Sequence, residues 1–495
     1  MKAINKNMAK GAFWMILLRF AVRGIGLIST VFLARLLIPT DFGLVAMAMS
    51  IIGAVELLGA FSLDVTLINN QNAGRNHYDT AWTLNILAAL IQGLLLFAVA
   101  PWVAHFYSDH RLILIIQLLA LGTLIQGFEN IGIVAFRKDL EFHKDFNFQL
   151  AKKIISFVVT MAMAFWLRNY WALIGGMLVS RFMGVLFSFL LQPYRPKLSL
   201  AVKNELFHFS KWLFINNLLF FANHQSASFI LGKITGANAL GLFSLSYEIS
   251  NLPSTDLVAP INRAIFPGYA KMAHDLEMLR QGYLNVFSAI ALVALPVCTG
   301  IALVADPLVH VMLGEKWLAT IPLIQILAIA GLTQSLQTNK GSVFLALGRP
   351  RLLTLLAVFH AATLLPALVW GAMQNGVMGA AYATVIVSLL LMPVNFLILS
   401  RILHLRFASL LAVFWRPAIA SLVMIAAVSS VETFTSGGST FISHLTQLVI
   451  LTLAGSLTYA ASILLLWKVS GMKPGMEALV LDKLSSRYRA VFVKE

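Results

Sequence analysis

Basic residues alternate with long apolar stretches along this chain, and that pattern restricts the possible folds more than any other feature. A helix needs about 20 mostly apolar residues to cross a bilayer, and stretches of that length predict about fourteen spans. Of the 36 Lys and Arg residues, 25 fall at the termini or in every second gap, and the opposite gaps hold only Arg35, Arg111, Arg168, Lys233 and Lys316. The predicted spans are 12–36, 42–63, 81–106, 112–135, 147–167, 171–192, 208–232, 238–262, 283–305, 319–347, 352–371, 375–400, 410–431 and 442–467.

The alternation also predicts an orientation, because short loops rich in Lys and Arg stay on the cytoplasmic side. Both termini are therefore expected in the cytoplasm of a bacterial inner-membrane protein. The net charge of +16 could indicate nucleic acid, but loop orientation explains most of it, so no nucleic-acid partner is expected.

Cys298 is the single cysteine, which excludes an intrachain disulfide and a cysteine metal cluster. No metal or other cofactor is predicted.

The chain matches itself at a shift of 198 residues. The segment 34–44 (ARLLIPTDFGL) then aligns with 232–242 (GKITGANALGL), so that Gly43 meets Gly241 and a basic residue ends a helix in each copy. The alternative is a chance similarity between apolar helices. A parallel repeat of six-helix lobes is a known transporter plan, and it predicts lobes at 1–200 and 201–405, two extra helices at 406–470 and a tail at 471–495. The tail is predicted to be an amphipathic cytoplasmic helix on the membrane surface or, alternatively, a solvated segment.

The turn ARLLIPTDFGL and the later segments FSLSYEISNLPSTDLVAPINRAIFPGYAK and LGEKW…IPLIQILAIAGL resemble the polysaccharide-transporter branch of the MOP flippase superfamily. The similarity is to Wzx-type exporters of exopolysaccharide and O-antigen units, the colanic-acid type in particular. It implies an all-α polytopic fold with two six-helix lobes around a central cavity plus two C-terminal helices. It also implies movement of an undecaprenyl-pyrophosphate-linked oligosaccharide across the inner membrane. These motifs are turns and helix faces, so they indicate the family rather than the substrate.

Cations within the spans are the candidate substrate-binding residues, because a charge inside a membrane is costly and by default marks a water-filled path. Arginine suits the oxygens of a pyrophosphate. The alternatives are snorkelling for the first two arginines and an ion pair with Glu129 or Glu248 for the deeper cations. The candidates are Arg19, Arg23, Arg181 and Lys340, with the polar residues Asn217 and His224 on the equivalent face of the seventh predicted span.

Embedded carboxylates are the candidate ion-coupling residues. Burial raises the pKa of a carboxyl group, which makes proton exchange near neutral pH feasible. Glu129 is the first choice, and Glu56 and Glu248 are the others. Each of them is equally suited to neutralise a nearby arginine.

The sequence therefore predicts a flippase for lipid-linked oligosaccharides in lipopolysaccharide or exopolysaccharide synthesis, driven by an ion gradient through alternating access. Membrane lipids are the expected partners, and a polysaccharide polymerase and a chain-length regulator are further candidates. A multidrug-type exporter on the same scaffold is the first alternative, which an acidic cavity would favour. A membrane glycosyltransferase or polymerase is the second. An enzyme is not expected, because no soluble catalytic domain and no large periplasmic loop fit between the spans.

Overall fold

The computed structural model describes the backbone of residues 2–57, 63–70, 72–435 and 440–471. Within these ranges, the side chains of residues 2–12, 69, 204–220, 222–224, 263 and 407 lie outside the description. The predicted tail beyond Gly471 is also outside it. The main helices are α1 (Lys2–Leu36), α2 (Pro39–Glu56), α3 (Leu63–Asn69), α4 (Arg75–Tyr107), α5 (Arg111–Gly127), α6 (Val134–Lys138), α7 (Phe142–Leu167), α8 (Trp171–Leu191), α9 (Lys203–Leu252), α10 (Ala259–Met272), α11 (Leu276–Leu303), α12 (Ala305–Leu308), α13 (Thr320–Gln337), α14 (Asn339–Ala346), α15 (Pro350–Leu403), α16 (Phe407–Thr435) and α17 (Phe441–Val469).

The helices in the described ranges are those of a polytopic membrane protein. Eleven of them are long and apolar enough to cross a membrane, and the number is twelve if one bent pair counts as a span. Large apolar side chains such as Trp102, Trp166 and Leu190 are exposed on them, as expected for surfaces that face lipid. The predicted all-α polytopic fold is confirmed, whereas the number of fourteen spans stays a prediction.

The predicted span 112–135 is bent rather than continuous. Helix α5 ends at Gly127, and the helical segment Ile131–Lys138 continues at 66° to it. Asn130 stabilises the break with two hydrogen bonds. Its side-chain Oδ1 accepts from the backbone amide of Gly132 at 2.9 Å, and its backbone amide donates to Ser188 Oγ at 2.9 Å. Hydropathy measures apolar content and not the hydrogen bonds that end a helix, so the sequence prediction missed the bend.

Two long helices each contain a non-helical point. Helix α9 breaks at Gly236, whose φ of 80° is a conformation that glycine adopts without strain. Helix α15 turns at Asn375 and Gly376. On either side of that turn, the backbones of Gly371 and Gly379 lie so close that a Cβ on one would overlap the carbonyl of the other. The second break therefore folds α15 into a hairpin of two helices.

The contacts divide the chain into two compact units, Met1–Gly241 and Leu242–Glu495. In the first unit, α4 packs against α5, and α7 packs against both α1 and α8. Small residues allow some of these close approaches, as membrane helices commonly require: Gly176 faces Thr160 across the α7–α8 contact, and Gly93 faces Leu124 between α4 and α5.

The two copies of the predicted repeat meet within the first unit. Gly43 lies against the carbonyl of Ala237, and Gly241 lies against the carbonyl of Pro39. Positions 39 and 237 are equivalent at the shift of 198, as are positions 43 and 241. Reciprocal contacts of this kind are what a local two-fold relation between two segments produces; the division into two six-helix lobes stays a prediction.

An extended segment, residues 192–202, follows α8 and lies along the first turns of α4. The Tyr194 hydroxyl donates to Asp79 Oδ1 at 2.6 Å, and the amide of Lys197 donates to the same oxygen at 2.8 Å. The amide of Ser199 donates to Thr83 Oγ1 at 2.9 Å. Polar side chains of α4 thus satisfy a backbone that has no sheet or helix of its own to bond with.

The second unit packs around α11, which contacts α13 and α16. Phe287 stacks on Tyr283 and meets Phe396 edge to face, with ring centroids 5.9 Å and 5.5 Å apart respectively. Tyr459 on α17 donates to the carbonyl of Leu292 on α11 at 2.9 Å. The two last helices are therefore attached to this unit by packing and by at least one hydrogen bond.

Candidate functional site

A polar cavity of about 410 Å³ lies inside the first unit. The end of α2, helices α3, α4 and α5, and the bend that follows α5 line it. Carboxylates and amides dominate its polar wall, in a part of the chain where apolar side chains are the rule. The polar and charged lining residues are Glu56, Asp64, Asn85, Gln92, Thr123, Gln126, Glu129, Asn130 and Arg137.

Glu129 stands in the break of the bent span, between α5 and Ile131. A Cβ at Gly184 on α8 would lie 2.9 Å from Glu129 Oε2 and 3.3 Å from Lys152 Cδ. Gly184 therefore leaves the space in which the Glu129 carboxylate and the Lys152 side chain of α7 come together. The sequence placed Glu129 in the middle of a continuous helix; it is instead beside the bend, where backbone groups are not fully used by the helix.

Arg181 on α8 is the cation most firmly held at this cavity. Its guanidinium donates to Glu56 Oε1 at 2.9 Å and also to the hydroxyl of Thr123. The Arg181 side chain is 15% exposed and that of Glu56 is 39% exposed. The alternative considered from the sequence, an ion pair of Arg181 with Glu129 or Glu248, is wrong: the partner is Glu56, which the sequence had named as a candidate for ion coupling.

Arg137 lines the cavity at the far end of the bend. Its guanidinium lies 3.7 Å from Asp64 Oδ2 and 3.8 Å from Asp145 Oδ2. The neighbouring Lys138 donates to the carbonyl of Asn70 at 2.8 Å. These contacts tie α3 to the segment after the bend and hold one cation at the cavity wall.

The charges around the cavity are close to balanced. Among the described lining residues, Glu56, Asp64 and Glu129 are acidic and Arg137 is basic. Arg181 and Lys152 add two cations next to the lining carboxylates. Such a mixture can hold a cation or a proton among the carboxylates, or present guanidinium groups to an anion once the carboxylates are neutralised.

The other predicted site residues lie elsewhere. Arg19 and Arg23 are half-buried on α1, which packs against α7. Lys340 belongs to the second unit, where its Nζ lies 3.4 Å from Gln337 Oε1, an oxygen that also accepts from Asn395 Nδ2 at 2.6 Å. Glu248, also in the second unit, is exposed. The side chains of Asn217 and His224 lie outside the described residues.

Sequence reasoning missed three polar residues of this site. Gln92 donates to the carbonyl of Glu56 at 3.1 Å, Asn85 lines the wall one heptad earlier on α4, and Thr123 accepts from Arg181. The signal was present, because two amides seven residues apart in an apolar helix share one face. A search for uncharged polar residues at helical spacing would have found the α4 pair.

The sequence has known relatives. A family described as "Polysaccharide biosynthesis protein" matches residues 32–322. The chain is 25% identical over 392 residues to the lipopolysaccharide biosynthesis protein WzxC of Escherichia coli (strain K12), covering 78% of this chain and 80% of the relative. It is 25% identical over 356 residues to the teichuronic acid biosynthesis protein TuaB of Bacillus subtilis (strain 168), covering 70% and 73%.

Solved structures share the fold. The lipid II flippase MurJ in an inward closed conformation superposes with a TM-score of 0.73 at 13% identity, covering 92% of this chain and 99% of that one. An inward-facing multidrug resistance MATE family transporter of the MOP superfamily gives a TM-score of 0.57 at 16% identity, covering 77% and 94%. At these identities the likeness concerns the fold, and it agrees with the fold class predicted from the sequence.

Proposed function

Because the chain belongs to the polysaccharide biosynthesis protein family, whose match covers more than half of it, we propose that it is a flippase for lipid-linked oligosaccharides. The cargo is an undecaprenyl-pyrophosphate-linked repeat unit, moved across the bacterial inner membrane for surface-polysaccharide synthesis. The observation that carries this proposal is the length of the match to relatives named for polysaccharide synthesis, about three quarters of the chain for WzxC. The protein is a multi-pass membrane protein and no enzymatic step is assigned to it; a polymerase and a chain-length regulator are the partners that such a role suggests.

Arg181 is the residue through which we connect the cavity with an anionic head group. Glu56 and Thr123 hold its guanidinium in position, and phosphate oxygens form stronger, forked hydrogen bonds with guanidinium than a single carboxylate oxygen does. A pyrophosphate would then compete with Glu56 for Arg181. Arg19, Arg23 and Lys340 remain further candidates for the same head group, as do Asn217 and His224.

Transport into vesicles tests the proposal. In a strain that lacks the gene, or in proteoliposomes with a lipid-linked oligosaccharide, Arg181→Ala and Lys340→Ala are each expected to reduce flipping at least tenfold while the protein still inserts. Lys316→Ala, at an exposed position, is the matched control and is expected to flip normally. Normal flipping by both the Arg181→Ala and the Lys340→Ala protein would contradict a role of these cations in transport, and absence of flipping by the wild type would contradict the proposed function.

The mixed charge of the cavity favours a second candidate, an exporter of cationic compounds. Three carboxylates line the wall, and an acidic site attracts cations. The number of cations equals the number of these carboxylates only when Arg181 and Lys152, which lie next to the lining carboxylates, are included. Efflux of a cationic dye from proteoliposomes separates the two functions. Dye efflux that Glu56→Gln abolishes, without flipping of the lipid-linked oligosaccharide, would favour the exporter.

The orientation proposed from the basic loops places both termini in the cytoplasm. Cysteine labelling in a Cys298→Ser background should then find residues near Arg137, Lys203, Lys271 and Arg406 on the cytoplasmic side. Residues near Asp109, Lys233 and Ser436, the last of which is outside the described residues, should be periplasmic. Periplasmic labelling around Lys203 would contradict the orientation and with it the division into lobes at 1–200 and 201–405.

A further inference from the structure

Two histidines and an aspartate form a cluster in the second unit, whereas the cavity described above lies in the first. Asp306 lies in α12, His310 lies in the single turn of π-helix that follows it (Val309–Leu313), and His444 lies in the first turn of α17. One potential ligand atom from each of the three residues lies within 4.8 Å of the others. The cluster therefore brings together two segments that are more than 130 residues apart in the chain.

The hydrogen bonding of His310 prepares one of its ring nitrogens to act as a ligand. His310 Nδ1 lies 3.0 Å from the carbonyl oxygen of Asp306. A carbonyl oxygen only accepts, so Nδ1 carries the proton and Nε2 carries the lone pair. Histidines that bind metal ions commonly donate their other N–H to a backbone carbonyl or a carboxylate in this way, which fixes the ring orientation.

In contrast to His310 Nδ1, the Nδ1 atom of His444 makes no hydrogen bond within the part of the chain that the structure describes, and it is buried. The rings of His310 and His444 are stacked, with centroids 4.0 Å apart and planes 7° from parallel. Two protonated rings would repel each other at this separation, whereas coordination of one ion by both rings requires each to be neutral.

We propose that Asp306, His310 and His444 bind one divalent transition-metal ion and that Zn²⁺ is the best match. Imidazole nitrogen and carboxylate oxygen are ordinary zinc ligands, at about 2.0–2.2 Å, and a water molecule commonly takes the fourth position. Ligand atoms around zinc are then about 3.3 Å apart, whereas the three candidate atoms lie within 4.8 Å of one another. Binding therefore requires the His444 ring, whose Nδ1 has no hydrogen bond to lose among the described residues, to rotate out of the stack while His310 keeps its hydrogen bond to the Asp306 carbonyl. The Asp306 side chain is 44% exposed, which gives the ion a path of entry.

The site would join α17 to the segment that follows α11. Helix α17 already packs against α12 and against the turn Val309–Leu313, and the ion adds a bond between ligands on both sides of that contact. Its effect is therefore stabilisation of the attachment of the last helix. This role is independent of what the protein transports.

Metal binding to the full-length protein tests the proposal. The protein is purified in detergent with an affinity tag free of histidine, stripped with a chelator and titrated with Zn²⁺ and, separately, with Co²⁺. The wild type is expected to bind one Zn²⁺ per chain, to show the visible absorption of four-coordinate Co²⁺ and to gain several degrees in thermal midpoint with Zn²⁺. His310→Ala and His444→Ala are each expected to lose at least tenfold in zinc affinity and to lose the Co²⁺ spectrum.

Controls separate loss of the site from loss of folding. His274→Ala, at an exposed position between α10 and α11, is expected to behave as the wild type in every measurement. Asp306→Asn changes one ligand with little change of shape, and it is expected to weaken binding while the protein elutes as a single species in size exclusion. A wild-type protein that binds less than one Zn²⁺ per chain, or ligand variants that bind as tightly as His274→Ala, would overturn the proposal.

Discussion

Thr40 and Asn238 stand one repeat length apart, 198 positions, and their side chains hydrogen-bond to each other at 3.3 Å. A residue in contact with its own equivalent lies next to the axis that relates the two copies. The reciprocal contacts of Gly43 with Ala237 and of Gly241 with Pro39 surround this pair. The two segments that align at a shift of 198 residues in the sequence are thus in contact with each other in the structure.

This pair offers a direct test of movement. In a Cys298→Ser background, Thr40→Cys with Asn238→Cys is expected to form a disulfide on mild oxidation, since the native side-chain atoms are 3.3 Å apart. If transport requires the two segments to separate, the cross-linked protein should be inactive and a reductant should restore it. Each single-cysteine variant is the control and should keep its activity under oxidation; the absence of any cross-link would contradict the contact.

The neighbouring glycines should not tolerate a methyl group. In Gly43→Ala and Gly241→Ala the new Cβ would overlap a backbone carbonyl, so the backbone must shift, at a cost of about 1–3 kcal/mol. Thermal unfolding in detergent measures this loss. Gly26→Ala, where a Cβ meets nothing within 4 Å, is the control and should be as stable as the wild type or slightly more stable; equal stability of all three variants would refute the close contact.

Glu129→Gln tests ion coupling. If the Glu129 carboxylate carries the coupling proton, Glu129→Gln should abolish flipping driven by a pH gradient and leave binding of the lipid-linked oligosaccharide unchanged. The reason is that a glutamine side chain has nearly the same shape as glutamate but does not bind or release a proton. Initial rates in proteoliposomes at several imposed gradients check this. Glu315→Gln, at an exposed position, is the matched control. If the flipping rate of the Glu129→Gln protein depends on the pH gradient as that of the wild type does, Glu129 serves only as a counter-ion of Lys152.

The Tyr194 hydroxyl is expected to make the stability of the first unit decrease at alkaline pH. Burial and, after it, the hydrogen bond to Asp79 raise the pKa of the Tyr194 hydroxyl above its usual value of 10.0. Because the folded-state pKa is raised, the stabilisation is complete below about pH 10 and is lost as the pH rises above that value. Tyr194→Phe is therefore expected to lower the free energy of unfolding by about 1 kcal/mol at pH 8, and the difference from the wild type should shrink at pH 11. A constant difference across this range would show that the hydroxyl does not titrate with folding.

Some of this protein could be predicted from the sequence because membrane insertion imposes simple rules. The length of the apolar stretches located the helices. The alignment at a shift of 198 residues paired Gly43 with Gly241, and both lie in backbone contacts that accept only a very small side chain. The ion pair of Arg181 with Glu56 could not be found in this way. The two residues are 125 positions apart, and which faces of α2 and α8 meet depends on packing that apolar content does not specify.

The bend at Glu129 was missed for a related reason. It depends on three hydrogen bonds of Asn130, to Ser188, to Gly132 and to the carbonyl of Tyr194, and two of these partners come from distant parts of the chain. An asparagine in an apolar segment indicates that something polar is near. It does not say that the helix ends there.

The hairpin of α15 limits how the second unit can deform. Only Asn375 and Gly376 depart from helical geometry between its two arms, and the contact of Gly371 with Gly379 joins the arms next to the turn. A connection this short leaves no slack for one arm to slide along or swing away from the other. In any transport cycle the two arms must therefore travel as one piece, and the smallest moving part of this region is a pair of helices rather than a single one.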